Sequence, residues 1–444
     1  MTLMNILKLN TYNFSKKQTN KMIMTKLNLM KTMSKKNSKY KFTKIFHMME
    51  NKEMFIVAQK TLNPVSMMCK FQHSEILTMM SQMTHQSYNF NCPYEMKNKI
   101  IQEMARMILS SIFEPTFKES SHGFRKNYST HTAMSRTFYT CYQTNWSMKI
   151  NMKPYLNHMN KYKMILQIKK RIKDPKFIDM MWSMLNSNFM TSWNLFPNKL
   201  SEIPSGTIIS PMLLNIYLNE MDIYMSKLWM KKMFKDYNKI FYLTYTRFAS
   251  DTIIALMSDM NTTKIMGHFI FNFLTKYLKL NMHIKDIHLY CMKKTMTPFI
   301  GIKLFKLMSK MNPIKTNNYR LKLYVHLPDV MFKLHYSNFC NSKGIPEPKF
   351  YWYKMNHSNI IKTYNKTLYL YRQYFKMTDN FVQLNSMVQF ILTRSCAKLL
   401  AAKMNLGTMA KVFKKYGKNC QHGEMTLNNM KMTTNIKTHP PVFM

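Results

Sequence analysis

The strongest constraint on this chain is its charge. Its 444 residues include 66 Lys and Arg against 20 Asp and Glu, a formal net charge of +46. Because such an excess repels itself in a compact fold, the charges must lie at the surface, and a polyanion or an anionic surface is the expected partner. The chain is also 46% hydrophobic and 14% aromatic, so it can build a core and is not a disordered basic tail. An ordinary neutral metabolic enzyme is excluded as the default class, and the length predicts two to four domains of ~150 residues.

Three further classes are excluded by what the sequence lacks. The seven cysteines are scattered without a C-x-x-C pair, which excludes a zinc ribbon and a disulfide framework. The Cys420–Gln421–His422 segment alone supplies too few ligands for a metal. No run of ~18 uninterrupted apolar residues occurs, so we predict no membrane span and no membrane partner.

The methionine content gives an indication of origin. The chain contains 49 Met, and Lys far outnumbers Arg. Both biases are typical of an AT-rich genome whose code reads a former Ile codon as Met, as several mitochondrial codes do. We therefore expect an organelle-encoded protein that acts in the mitochondrial matrix. Within the fold, we interpret the Met and aromatic stripes as core packing.

Apolar spacing predicts a mixed fold. Residues at intervals of three and four predict helices up to an exit at Glu114–Pro115. The middle of the chain mixes helical patterns with short β-rich runs at Ile240–Thr246 and Ile253–Met257. From about Leu321 the pattern is helical again. The fold class is therefore α+β, followed by an all-α region.

Four short segments join a tight turn to a helix or strand. Glycine is scarce, with eight residues, so each marks a place where the backbone rejects a side chain. The segments read SHGFRKNYSTHTAM at 121–134, IPSGTIISPMLLNIYLNEMD at 203–222, YTRFASD at 245–251 and TPFIGI at 297–302. The first predicts a helix headed by Ser129 and His131, and the second a buried helix that begins at Ser210–Pro211. The third predicts two strands joined by a turn, and the fourth a short hairpin.

In this order and spacing, the four segments resemble the group II intron reverse transcriptase–maturase family. The family blocks read approximately S-Y-G-F-R-x-x-x-S-x-H-x-A, P-Q-G-x-x-x-S-P-x-L-x-N-I-Y-L-x-x-L-D, Y-x-R-Y-A-D-D and F-L-G. The resemblance continues through IIKTYN at 360–365 and through 395–419, and so extends from about Lys44 to Asn419. It implies right-hand, reverse-transcriptase-like fingers and palm followed by an all-α thumb and maturase domain.

The resemblance also implies a division of the chain into five regions. These are a basic N-terminal arm, a fingers-like helical region with a truncated nucleotide hairpin, a palm-like α+β domain, a helical thumb and maturase domain, and a tail. Their expected bounds are 1–44, 45–140, 141–315, 316–421 and 422–444.

The metal site of the family is degenerate in this sequence. Nucleotide addition uses two Mg²⁺ ions held by clustered carboxylates. The resemblance places one of those Asp residues at Asn151 and the other two at Ser250 and Asp251. One carboxylate, an amide and a hydroxyl cannot organise two hard cations. We therefore expect no active catalytic residue and no metal at this site, although the question of an enzyme stays open.

Other departures from the family pattern affect the same site. Asn157 and Asn160 replace two further acidic positions, and Ser205 replaces the Gln of the P-Q-G turn. The basic hairpin that holds the incoming nucleotide is mostly missing, because Asn89–Phe90 runs almost directly into Pro93–Tyr94. These losses favour a discarded polymerase activity.

The maturase-like segment keeps its basic residues. Lys411, Lys414, Lys415 and Lys418 fall on one helical face with Phe413 and Tyr416 interleaved, and Gly417 can close the helix. Such a face suits contact with RNA phosphates and stacking on bases. The full set predicted to bind RNA comprises Arg125, Arg394, Lys398, Lys403, Lys411, Phe413, Lys414, Lys415, Tyr416 and Lys418.

Two histidines are interpreted as structural. His131 has no nucleophile or carboxylate spaced with it, so a hydrogen-bonding role is favoured over a catalytic one. His122 stands where the family has an aromatic residue, which predicts a packing position.

The leading hypothesis is a group II intron maturase that binds its host intron RNA and promotes splicing. Mg²⁺ is then expected on the RNA, and no cofactor on the protein. The alternatives are an active RNA-directed DNA polymerase and a structural RNA-binding component of an organellar ribosome. The zinc-linked nuclease of some family members is not expected, because no Cys pair follows the maturase segment. The sequence leaves open whether the protein forms a homodimer.

Overall fold

The structure is a computed structural model that describes residues 22–62, 73–84, 96–156, 159–186, 208–230, 242–308 and 319–417. These residues form two compact units. Unit 1 comprises the described residues up to Ile300, with Met308 and Tyr319–Leu321, and unit 2 comprises Gly301–Leu307 and the residues from Lys322 onward. Residues 1–21 of the expected basic arm (1–44), the truncated hairpin, Asn157, Ser205 and the tail lie outside the described residues.

Unit 1 combines many helices with one antiparallel sheet. Its helices are α1 (22–36), α2 (Phe46–Met49), α3 (Lys52–Leu62), α4 (His73–Thr84), α5 (Met96–Phe113), α6 (Thr130–Thr140), α7 (Lys153–Leu156), α8 (Lys161–Lys169), α9 (Pro175–Asn186), α10 (Ser210–Met230) and α11 (Met260–Asn272). Its strands are β1 (Trp146–Asn151), β2 (Tyr242–Phe248), β3 (Asp251–Met257), β4 (Ile287–Cys291) and β5 (Thr297–Phe299). The α+β class is confirmed.

The sheet brings the predicted β-rich runs together. Its strand order is β2-β3-β1-β4, and all three pairings are antiparallel. Five consecutive residues are buried in β2 and again in β3, so both faces of these two strands are covered. That burial explains the uninterrupted apolar and aromatic character of their sequence.

Local signals set the limits of several helices. The Ser129 hydroxyl accepts from the Thr132 amide and the Thr132 hydroxyl accepts from the Ser129 amide, a capping box that begins α6. α10 begins at Ser210, as predicted, and buries both Leu213 and Tyr217. α5 ends at Phe113, immediately before the Glu114–Thr116 turn.

Methionine fills much of the core of unit 1. One apolar cluster extends from α1 to the residues after α11. Its buried Met side chains include Met49, Met54, Met80, Met104, Met148, Met180, Met181, Met184 and Met221. The interpretation of Met as core packing is confirmed for these positions, because an unbranched thioether adapts to irregular gaps.

Unit 2 is mainly helical. It contains strand β6 (Ile302–Met308) apart from Met308, the second half of β7 (Tyr319–Tyr324), and helices α12 (Leu327–Tyr336), α13 (His357–Phe375), α14 (Phe381–Lys403) and α15 (Met409–Tyr416). α13 packs along α14, where the Tyr364 and Ser395 hydroxyls lie 2.9 Å apart in a buried hydrogen bond.

The start of this region differs from the expectation. A helix was expected from about Leu321, but β7 occupies Tyr319–Tyr324. Leu321 and Leu323 are both buried, and the Leu323 amide donates to the Asp379 carboxylate at 2.8 Å. Alternate burial and a partner 56 residues away select the strand over the helix.

A buried ion pair joins the elements of unit 1 that carry the sequence motifs. Arg247 of β2 and Asp222 of α10 are both 0% exposed, with Arg247 Nη2 2.6 Å from Asp222 Oδ2 and Nε 2.9 Å from Oδ1. The guanidinium also donates to Ser121 Oγ, Asn215 Oδ1 and the Ala249 carbonyl. All five N–H donors of the guanidinium are therefore used.

The neighbours of this pair extend the network. Tyr245 donates its hydroxyl proton to Asp222 at 2.8 Å, and the Asn215 amide donates to the Gly123 carbonyl at 2.8 Å. Burial disfavours the charge on Arg247, but the attraction and hydrogen bonds of Asp222 outweigh it and raise its pKa. Burial, together with the adjacent Asp222 carboxylate, raises the pKa of Tyr245 well above its usual value. Arg247 therefore stays charged and Tyr245 stays a donor.

Replacing one member of this ion pair is expected to destabilise unit 1 strongly. R247M or D222L alone leaves a buried charge without its partner, and we expect each to lower the free energy of unfolding by about 3–5 kcal/mol. The double variant removes both charges and should lose clearly less than the sum of the single losses. Urea unfolding of the four proteins measures this coupling, and strictly additive losses would contradict it.

The chain also passes very close to itself at Gly123. A Cβ at this position would lie 2.3 Å from the backbone nitrogen of Ala249. Ala249 itself has a φ of +55° and is fully buried, so the β2–β3 turn has little room to move. The scarce glycine of the first segment is thus required by the turn of the third.

We expect G123A to disturb this contact. The added methyl must displace backbone, and overpacking of this kind costs about 1–3 kcal/mol of unfolding free energy. G407A is the matched control, because nothing lies within 4 Å of the added Cβ there, although its φ of +73° adds some backbone strain. Thermal unfolding in which G123A is no less stable than G407A would count against the close contact.

Candidate nucleic-acid interface and former metal site

The three positions of the degenerate metal site meet at one end of the sheet. Asn151, the last residue of β1, lies opposite Asp251, the first residue of β3. Ser250 belongs to the two-residue turn between β2 and β3 and is 5% exposed. The sequence-predicted cluster is therefore assembled by strand register.

An open cavity of about 400 Å³ lies at this end of the sheet. We call it the Asp251 cavity. Its lining residues are Lys149, Asn151, Lys153, Ser250, Asp251, His288, Tyr290 and Pro298. Lys149 Nζ lies 3.4 Å from Asp251 Oδ1, with 21% and 39% of the two side chains exposed. Asp251 is the only carboxylate in this lining, and a lysine ammonium lies beside it.

This set of donors does not fit a pair of divalent ions. Within the described residues, no group of three or more His, Cys, Asp and Glu side chains is placed to hold a metal. Two-metal chemistry needs several anionic oxygens, and an ammonium next to the one carboxylate repels a cation further. Asn160, which stands at a former acidic position, accepts from the Lys163 amide at 2.9 Å and caps α8.

The basic face of unit 2 lies on α15. Thr408 caps this helix, Val412 is its buried residue, and the side chains of Lys411, Lys414 and Lys415 are exposed. Its end is at Tyr416, after which Gly417 takes a φ of +74° with an extended ψ of 167°. The ψ differs from the left-handed helical closure expected there.

The aromatic residues of this helix are half-buried. Phe413 and Tyr416 are both of intermediate exposure. The Tyr416 ring packs edge-on against His357 with 5.0 Å between centroids. Lys418, the fourth lysine of the predicted face, lies outside the described residues.

Two of the lysines predicted to bind RNA are held by the fold. Lys398 Nζ donates to the Pro346 carbonyl at 2.8 Å, and Lys403 Nζ donates to the Tyr353 carbonyl at 2.8 Å. These bonds attach the segment before α13 to the side of α14. They favour a structural role, and RNA contact by these two lysines stays a prediction.

Arg394 and Arg125 differ in accessibility. Arg394 is exposed on α14 and stacks over Phe390, with 3.7 Å from its guanidinium carbon to the ring centroid. Arg125 has a side chain only 6% exposed and pairs with Glu114 at 2.9 Å. It also donates twice to carbonyls and lies 4.2 Å from the Tyr128 ring centroid. Its contacts favour a structural role in the turn, and RNA contact by Arg125 stays a prediction.

Unit 2 also exposes aromatic residues that the sequence did not predict. Tyr351 is 85% exposed and Phe350 is 61% exposed, in the segment that Lys403 holds. Exposed rings beside basic residues can stack on unpaired bases. Composition alone gave no signal for them, because 14% of the chain is aromatic.

The two histidines of the first segment occupy different environments. His131 lies in the first turn of α6 and is half-buried. His122 is 4% exposed, its Nδ1 lies 2.9 Å from Thr132 Oγ1, and its ring packs against Tyr128. The predicted packing position of His122 is confirmed. Burial, followed by the charges of Arg136, Arg125 and Arg247, lowers the pKa of His122 to about 3.

His122 should make the stability of unit 1 sensitive to acid. The unfolded state takes up a proton near pH 6.5 and the folded state only near pH 3, so the neutral ring favours folding above pH 6.5. As the pH falls below 6.5, we expect this contribution to be lost by at most about 1.4 kcal/mol per unit.

The measurement compares wild type with H122Y, which removes the titrating ring. Their difference in unfolding free energy should be constant above pH 7.5 and shift against wild type between about pH 6.5 and 4.5. Parallel pH profiles would contradict the buried neutral histidine. H131A, which removes a histidine of the same segment and keeps His122, is the matched control and should retain the loss of stability in acid.

No helix within the described residues has the length and apolarity that a membrane crossing requires.

Comparison with known proteins identifies relatives over most of the chain. The COX1/OXI3 intron 1 protein of Saccharomyces cerevisiae is 25% identical over 379 residues, covering 73% of this chain and 45% of that protein. The group II intron-encoded protein LtrA of Lactococcus lactis subsp. cremoris is 24% identical over 377 residues, covering 71% and 62%. A 91 kDa protein in the cob intron of Schizosaccharomyces pombe is 25% identical over 371 residues, covering 72% and 46%.

The chain spans about half the length of the yeast relatives it matches. Residues 318–442 match the family model described as type II intron maturase. Residues 318–442 therefore correspond to a type II intron maturase domain, and over most of its length the chain is similar to group II intron-encoded proteins.

Proposed function

We propose that this protein is a maturase that binds a group II intron RNA and promotes its splicing as a protein cofactor, without polymerase activity. The observation that carries the proposal is a contrast between two sites. The Asp251 cavity has one carboxylate beside the Lys149 ammonium, whereas α15 presents Lys411, Lys414 and Lys415 to solvent. Intron-related names among the relatives support the RNA as the partner.

Electrostatics explain how such a protein assists a ribozyme. A folded RNA brings phosphates close together, and the repulsion has to be neutralised by cations. A protein with a net charge of +46 supplies ammonium and guanidinium groups in place of some metal ions. The RNA then folds at a lower Mg²⁺ concentration, and its own catalytic centre carries out the transesterifications.

The same proposal gives unit 1 a scaffold role. We propose that unit 1 has the fingers and palm arrangement of a reverse transcriptase and that unit 2 contains the thumb. The assembly of Asn151, Ser250 and Asp251 at one end of an antiparallel sheet supports this arrangement. Mitochondrial action is part of the proposal, supported by a relative named as a mitochondrial protein, ymf11 of Marchantia polymorpha.

The splicing role is tested with purified protein and its intron transcript. We expect splicing at low Mg²⁺ to require the protein and splicing at high Mg²⁺ to become independent of it. Equal rates with and without protein at every Mg²⁺ concentration would overturn the proposal. Primer extension on an RNA template should give no DNA product. A product abolished by D251N would instead establish an active polymerase, and co-sedimentation with ribosomes without intron RNA would favour the ribosomal alternative.

The α15 face is tested with the triple variant K411A/K414A/K415A. Removal of three exposed charges should raise the Kd for intron RNA about 10- to 100-fold. It should also lower the slope of log Kd against log salt concentration by roughly two. The matched control is K52A/K60A/K264A, which removes three exposed lysines of unit 1. Equal losses in the two variants would mean that only total charge matters. Circular dichroism checks that both variants remain folded.

A further inference from the structure

We propose that the Asp251 cavity binds a phosphate group through lysine ammonium groups, without a divalent metal. Lys149 and Lys153 line the cavity together with one carboxylate, Asp251. Two cationic side chains against one anionic side chain leave a net positive charge. A cavity that binds two divalent ions requires the opposite sign, so this lining favours an anion.

The strand register places the lysine where it can act. Lys149 and Asn151 are two residues apart on β1, so their side chains project from the same face of the sheet. Lys149 lies opposite Ile253 on β3 and opposite His288 on β4. Its ammonium contacts Asp251 at 3.4 Å and carries three N–H donors. One donor can serve the carboxylate and the others a phosphate oxygen.

Neutral donors complete the lining. The Asn151 amide, the Tyr290 hydroxyl and one N–H of His288 can each donate to phosphate oxygens. A volume of about 400 Å³ is in the range of sites for nucleotide-sized ligands. The replacement of two carboxylates by Asn151 and Ser250 has therefore changed the kind of ion that the cavity suits.

Two ligands share this chemistry. One is the backbone phosphate of an RNA strand, and this source rests on the proposed function. The other is the triphosphate of a free nucleotide, which does not depend on it.

The test measures two probes in EDTA with the full-length protein. The first probe is a fluorescein-labelled single-stranded RNA of ~20 nucleotides, and the second is a fluorescent nucleoside triphosphate. We expect K149A/K153A to weaken binding of at least one probe about 5- to 20-fold. K153E is a second variant, chosen because Lys153 is exposed and its substitution should leave the fold intact. It should weaken binding of the same probe. The matched control K52A/K60A should change neither probe more than about twofold.

D251N distinguishes a phosphate site from a remaining metal site. Loss of the carboxylate removes its repulsion of the phosphate and frees Lys149, so we expect binding in EDTA to tighten about 2- to 5-fold. A remaining metal site would respond in the opposite direction, with binding that needs Mg²⁺ and weakens in D251N. That outcome would overturn the proposal.

The remaining outcomes separate the two proposals. An effect on the RNA probe alone assigns a strand phosphate, and an effect on the nucleotide alone assigns a triphosphate. If K149A/K153A and K153E behave like the control for both probes while wild type binds and splices its intron, the phosphate site is wrong and the maturase role stands. If wild type binds no RNA but the nucleotide responds as expected, the maturase role is wrong and the phosphate site stands.

Discussion

The buried ion pair between Arg247 and Asp222 is the interaction on which unit 1 depends. Two charges without solvent are costly, and they are tolerated here because every donor of the guanidinium has an acceptor. The acceptors come from α10, from the β2–β3 turn and from the segment at Ser121. A change in any of these elements leaves a buried charge or polar group unsatisfied, so the pair fixes their positions together.

This dependence explains why the enclosed residues of the scaffold tolerate substitution less well than the residues that line the Asp251 cavity. Side chains at least partly exposed at the mouth of the Asp251 cavity, such as Asn151 and Asp251, can be exchanged at small cost to stability. Arg247, Asp222 and the close approach of Gly123 to Ala249 allow no such exchange, since each is enclosed. The strand register that holds Asn151 opposite Asp251 therefore does not depend on which side chains stand at these two positions. The sheet therefore forms a cavity in which a few substitutions can change the net charge of the lining.

Basic residues serve two separate purposes in unit 2. The ammonium groups of Lys398 and Lys403 donate hydrogen bonds to backbone carbonyls and so stabilise the packing of the segment before α13. Lys411, Lys414 and Lys415 extend from a short helix with one buried side chain. The hydrophobic contact of Val412 and the Thr408 cap hold this helix, so its lysines are free to meet a polyanion. Charge alone does not distinguish the two groups, because all five residues are lysines on helices α14 and α15.

The sequence by itself determined the α+β class and the similarity to group II intron-encoded proteins, because turns, caps and periodic apolar residues are local signals. Its net charge of +46 made a polyanion the expected partner. It also located the start of α10 at Ser210 and the bounds of β2 and β3 to within two residues. It misassigned β7, and it did not separate the lysines and Arg125 that the fold uses from those it exposes. Only the tertiary structure decided these points, since burial and hydrogen-bond partners lie far apart along the chain. The contact of Lys398 with Pro346 spans 52 residues, and that of Arg247 with Ser121 spans 126.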